Sequence, residues 1–105
     1  MNTAEQQRLF HIARRSDWQR ALDEGAGAYR VASLESQGFI HLSIERQWRG
    51  VLETWFAGER DLLLLEIDAA RVTHEVRFEP ADGDHFPHLY GPLAIDAVVS
   101  VRELR

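Results

Sequence analysis

The chain contains no cysteine and no lysine; all 12 of its basic residues are arginine. Without cysteine there is no thiolate nucleophile, no thiolate metal site, no CxxC redox pair and no disulfide framework. Without lysine there is no Schiff-base chemistry and no phosphate loop of the type that needs its Lys. Long apolar runs are missing too. The longest is Leu62–Leu65, far short of the roughly 20 residues of a membrane helix. Met1 to Arg8 is polar and lacks the apolar stretch of a signal peptide. The expectation is a cytoplasmic protein with no membrane partner. The net charge is −5, and the longest basic cluster is Arg14-Arg15. Both argue against general nucleic-acid affinity, which rests on neutralising many phosphates. A local arginine can still grip one phosphate bidentately.

What remains for chemistry is five histidines, the carboxylates, arginine, a few hydroxyls and backbone groups. At 105 residues and 45% apolar content, one domain over residues 1–105 is expected, with 1–8 as a polar N-terminal segment.

Leu9–Ala13 alternates, with Phe10 and Ile12 on one face and His11 on the other with Leu9 and Ala13; this spacing predicts a strand. Ser16 to Gln19 fits a capping box ahead of a short helix that Gly25 would stop. Ser33–Gln37 fits a single helical turn capped by Ser33. Phe39–Ser43 is predicted as a strand with Phe39, His41 and Ser43 on one face, and Ser43 as the cap of the next helix. That helix carries Trp48, Val51, Leu52, Trp55 and Phe56 up to Gly58, and the tryptophans are expected in the core. Gly50 within it fits either a close backbone approach or chance. Leu62–Ile67 predicts a central strand covered on both faces, where Glu66 would need an arginine partner if buried. Val72–Glu79 predicts a strand, Pro80–Pro87 a loop with an Asp82-Gly83 turn, and Ala97–Arg102 the last strand. Helices early and strands late favour an α+β fold with two main helices.

His11 and His41 each sit mid-strand beside a helix start. Two readings stand for each: a half-buried ring bonded to a carbonyl, or an imidazole facing a shared cleft. Asp82 to Pro92 is the densest polar and aromatic patch. Asp84, His85 and His88 would form a weak metal motif there; otherwise the segment is a pocket wall with His88 and Tyr90 facing a ligand, or a structural turn. Asp96 is a candidate carboxylate, with a solvated turn residue as the plainer reading.

The runs Leu9-Phe10-His11-Ile12, Gly38 to Ser43 and Phe86 to Leu93, with Asp96 to Val99, resemble a small bacterial family, domain of unknown function 952. The likeness spans about Leu9 to Leu104. That family is grouped with the ADP-ribosyltransferase-like fold. The resemblance implies a small, curved, split β-sheet around a nicotinamide-dinucleotide cleft. It places His11 on the nicotinamide ribose and His41 against nicotinamide. Asp96 is the nearest match to a third position that is usually Glu, and is one methylene shorter. Ser43, His88, Tyr90 and Arg14 would complete the ligand-binding set. NAD would enter as substrate, and no resident cofactor or metal is implied. The alternatives are a non-catalytic small-molecule or nucleotide-binding module and a metal-dependent hydrolase using His85 and His88. Oligomeric state is not legible in the sequence.

Overall fold

The alternation along Leu9–Ala13 becomes a strand whose two faces enter two different packed clusters. The structure, a computed structural model, describes residues 3–105. In chain order it contains α1 (Thr3–Gln7), β1 (Arg8–Arg14), α2 (Arg15–Glu24), β2 (Ala28–Tyr29), α3 (Ala32–Ser36), β3 (Ile40–His41) and α4 (Trp48–Trp55). There follow β4 (Leu62–Asp68), a 3₁₀ turn (Ala69–Arg71), β5 (Val76–Ala81), β6 (Asp84–Leu89), β7 (Leu93–Ala94), a second 3₁₀ turn (Ile95–Ala97) and β8 (Val98–Glu103). The α+β class holds, and α2 and α4 are its two main helices. The expected curved split sheet is not found. The strands form three separate antiparallel sheets, ordered β1-β4-β8, β2-β7 and β3-β6-β5, none of which closes on itself.

β4 is the central strand predicted from Leu62–Ile67. Leu63, Leu65 and Ile67 pack with Leu9 and Ala13 against Trp18 and Ala21 of α2. Leu62 and Leu64 pack with Phe10 and Ile12 beneath Trp48, Val51, Leu52 and Phe56 of α4. Each side chain of the strand therefore meets a partner cluster, as a strand covered on both faces requires. Glu66 leaves this apolar row half-buried and takes the expected arginine partner, Arg8, at 3.2 Å.

The helix ends depart from the serine caps read in the sequence. α2 starts directly out of β1 with no side-chain cap, and Gln19 donates to Asp23 at 2.9 Å instead of reaching back. The predicted stop is right: Gly25 closes α2 in the left-handed region, at φ 68°, where glycine meets no Cβ penalty. Ser33 donates to the Phe39 carbonyl at 2.8 Å and does not cap α3. Ser43 is spent on a bridge, its backbone exchanging bonds of 2.7 and 2.8 Å with Phe10. α4 begins later, after Gln47, whose side-chain oxygen accepts from the Ile44 N–H. Nothing lies within 4 Å of a Cβ built at Gly50, so no close backbone approach explains that glycine.

The segment read as the loop Pro80–Pro87 is a hairpin. Asp82 and Gly83 both have positive φ, 50° and 78°, as a two-residue turn matched to strand twist demands. Pro80 sits on the edge strand β5. Pro87 sits in the central strand β6, where its carbonyl accepts from Leu42 N–H at 3.0 Å. Conversely, the strand expected from Val72 begins only at Val76, because Asp68 caps the 3₁₀ turn through the Ala70 N–H. No described helix is long and apolar enough to cross a membrane.

The packing makes Leu65, fully buried in β4, a direct probe of the core. Leu65→Ala is expected to lower the unfolding free energy by about 2–5 kcal/mol, measured by urea denaturation.

Candidate functional site

Sheet β3-β6-β5 has two unlike faces, set by strand alternation. Ile40, Leu89, Val76 and Phe78 pack into the core. The other face carries His41 of β3, paired in register with His88 of β6, and His88 is paired in turn with Arg77 of β5. The His41 and His88 rings stand edge to face with centroids 5.5 Å apart. Phe39 stacks on His88 at 4.0 Å and touches both His41 and Tyr90.

Each histidine is oriented by a different partner. His11 is buried, and its Nδ1 lies 2.7 Å from the His41 carbonyl oxygen. A carbonyl only accepts, so Nδ1 carries the proton and Nε2 accepts from the Tyr29 hydroxyl at 2.9 Å. Burial pushes the His11 pKa down to about 4, against the raising effect of the carbonyl bond. Burial likewise pushes the Tyr29 phenol well above its ordinary value. Both groups are therefore neutral near pH 7.

His41 donates from Nε2 to the Gln37 amide oxygen at 2.6 Å, which leaves Nδ1 unprotonated. Burial first, then the charge of His88, lowers its pKa. His88 Nδ1 donates to Glu79 at 2.8 Å, and the Tyr90 hydroxyl donates to the same carboxylate oxygen. The Tyr90 bond, then the His88 bond, holds the Glu79 pKa below the usual range. Arg77 lies over the Tyr90 ring at 4.5 Å and pairs with Glu75.

His11, Tyr29, Gln37, His41 and His88 border a cavity of about 690 Å³. Of the residues singled out in the sequence, His11, His41, His88, Ser43 and Arg14 line it. One wall is apolar: Val51, Trp55 and Phe56 from α4 and its end. Trp55 is 62% exposed, so only Trp18 and Trp48 of the three tryptophans are core residues as expected. Arginines supply the cationic lining. Arg14 pairs with Glu59 and lies over the Phe56 ring, Arg20 pairs with Asp17, and Arg30 has no ion pair among the described residues.

Two expected site residues lie elsewhere. Asp96 is exposed in the second 3₁₀ turn and does not line the cavity. Tyr90 sits behind His88 and reaches the site through Glu79. The metal motif also comes apart. Positions 85 and 88 fall on opposite faces of β6, and Asp84 is held by Arg46 and Gln47. These bonds, with the His85 N–H, keep the Asp84 pKa far below the usual carboxylate range. Among the described residues no group of three His, Cys, Asp or Glu could hold a metal ion.

Tyr29, Gln37 and Arg30 were not singled out in the sequence. Tyr29 occupies a two-residue strand, too short for any periodicity, and Gln37 was read only as a helix end. Glu79 was visible as a strand carboxylate, but its histidine lies across a hairpin that was read as a loop.

The fold and this arrangement define a small α+β domain with a histidine- and arginine-lined cavity. The chain matches the family described as "Protein of unknown function (DUF952)" over residues 12–101 and belongs to it. No curated protein matches it. The crystal structure of protein CC0527 from Caulobacter crescentus is similar, with a TM-score of 0.83 and 31% sequence identity over 93% of this chain and 86% of that one. The solution NMR structure of CC0527 gives a TM-score of 0.78 at the same identity, covering 84% of that chain.

The neutral, buried His11 predicts a pH dependence of stability. Its folded pKa lies below the unfolded value, so the unfolded chain binds the extra proton between the two. The stabilisation is full above the unfolded value of 6.5 and is lost progressively as pH falls toward about 4. The loss is about 3 kcal/mol in all. Urea denaturation at about pH 7 and about pH 5 should show about 2 kcal/mol of this loss in the wild type and less in His11→Gln.

Proposed function

We propose that the cavity binds a nucleotide-like ligand, with an aromatic ring against the Trp55 and Phe56 wall and phosphate toward the arginines. One observation carries this reading: a cavity of about 690 Å³ combines that apolar aromatic wall with three arginines and three histidines, beside the carboxylates of Asp17, Glu35 and Asp82. Its volume falls within the roughly 300–1,000 Å³ of small-molecule sites, which pair apolar walls with a few placed polar groups. Among the described residues Arg30 has no ion pair, which leaves its guanidinium open to an anion. His41 Nδ1 accepts a hydroxyl or amide proton from the ligand. His11 has both ring nitrogens occupied within the protein and acts as a wall.

NAD is the first ligand to test, since it joins an aromatic ring, ribose and pyrophosphate in one molecule. Glycosidic cleavage is the weaker part of the nicotinamide reading. It needs a carboxylate at the ribose to meet developing positive charge; the expected Asp96 lies outside the lining, while Asp17, Glu35 and Asp82 lie within it. The reading proposed is nucleotide binding, with nicotinamide release as a separate outcome of the test.

Trp55 offers the readout. NAD at millimolar concentration should quench its fluorescence and shift the amide NMR signals of His11 and His41. Arg30→Ala should weaken the apparent affinity by about tenfold, equivalent to about 1.4 kcal/mol. Unmoved spectra at saturating NAD, AMP and ADP would remove the nucleotide reading. Nicotinamide release that is lost in His41→Ala would restore glycosidic chemistry.

A further inference from the structure

Two imidazole nitrogens of cavity residues have no hydrogen-bond partner among the described residues: His41 Nδ1 and His88 Nε2. Each ring is fixed through its other nitrogen, His41 by Gln37 and His88 by Glu79. The rings stand edge to face with centroids 5.5 Å apart on paired strands, and both residues border the cavity. Their partners differ in charge. Glu79 supplies a counter-charge for an imidazolium at His88, and Tyr90 holds that carboxylate in place. Gln37 supplies only a neutral amide to His41. Two titratable groups set apart by their surroundings in this way divide the work of acid and base.

We propose that His41 and His88 are the general base and general acid for hydrolysis of a phosphodiester bound in the cavity. The proposal rests on the nucleotide-binding reading of the same site and names the bond that is broken. His41 Nδ1 takes a proton from water as the water oxygen bonds to phosphorus. The ester P–O bond breaks on the opposite side, and the leaving oxygen takes the proton from His88 Nε2. The products are a phosphate monoester and an alcohol. Solvent then carries the proton from His41 back to His88. Gln37 and Glu79 are positioning residues, and Arg30 meets the phosphate charge.

The groups facing the pair give the assignment its sign. His11 on β1 is neutral and turns its Nδ1–H to the His41 carbonyl. Gln37 follows α3 and is uncharged. On β5, Glu79 is ionised and Arg77, next to it, is already paired with Glu75. Burial, then the nearness of His88, disfavours protonation of His41. The carboxylate beside His88 and the neutral amide beside His41 assign the acid role to His88 and the base role to His41.

The test uses the full chain, a chelator and thymidylyl-3′,5′-thymidine, whose alkoxide leaving group needs a proton, from about pH 5 to about pH 9. The expected rate profile is bell-shaped. His41→Gln and His88→Gln should each lower the rate by about 10²-fold or more. Glu79→Gln should move the alkaline limb to lower pH, because the imidazolium has lost its counter-charge. A merely structural role for Glu79 would lower the rate at every pH and leave that limb in place. Retained rate in both histidine variants, or an unmoved alkaline limb in Glu79→Gln, overturns the proposal. So does an absence of diester hydrolysis above the buffer rate. If NAD still quenches Trp55 in that case, the binding reading stands and the acid–base pair falls. If the diester is hydrolysed with the expected profile but nucleotides do not bind, the chemistry stands and the nucleotide reading falls.

Discussion

The His11 imidazole touches all three sheets. It belongs to β1 of the first sheet, accepts from Tyr29 in β2 of the second, and donates to the His41 carbonyl in β3 of the third. The pairing of Phe10 with Ser43 closes the same junction from the backbone side. With strands of only two residues, β2 and β3 have little hydrogen bonding of their own. A buried neutral ring with both nitrogens satisfied fixes their positions relative to β1. Breaking either bond would leave a buried polar group unpaired, at a cost of about 1–3 kcal/mol. The site follows from that constraint, since the residue whose carbonyl His11 holds is also a cavity histidine.

Core and site share one sheet. In β3-β6-β5 the same alternation that buries Ile40 and Leu89 turns His41 and His88 toward the cavity. A one-residue slip in register would exchange the two sets, so the core that excludes water also sets which nitrogens face a ligand. Polar partners on the second face complete the arrangement. Glu79 is shared by His88 and Tyr90, and Gln37 holds His41. At the far end of the hairpin, Gln47 binds Asp84 and the His85 carbonyl, which ties the hairpin to the segment leading into α4.

Features carried by local pattern were legible in the sequence. The apolar run at Leu62–Ile67 marked the central strand, alternation placed His11 and His41 correctly, and Gly25 marked the end of α2. Features decided by tertiary contacts were not. Ser16, Ser33 and Ser43 all have cap chemistry, yet the chain spends Ser33 on a carbonyl and the Ser43 backbone on a bridge. Pro80 and Pro87 suggested a loop because proline removes a ladder donor, but an edge position and a carbonyl contact accommodate them. Element order gave the α+β class and strand spacing the histidines; the family resemblance added the ligand roles, which stay proposals. It misled on the curved sheet, and the carboxylate it matched, Asp96, lies outside the cavity lining. The dinucleotide cleft it implied remains a proposal resting on the cavity's own chemistry. Most of the cavity's polar partners, Tyr29 and Gln37 above all, come from segments too short to show a period.

The junction of the three sheets rests on His11 as a neutral clamp with its proton on Nδ1. Long-range nitrogen–proton NMR of the imidazole rings between about pH 7 and about pH 5 reads this directly. An unprotonated Nε2 signal for His11 is expected to persist through this range, consistent with a pKa lowered to about 4. A His11 ring that becomes imidazolium at about pH 6, or that carries its proton on Nε2, would contradict it.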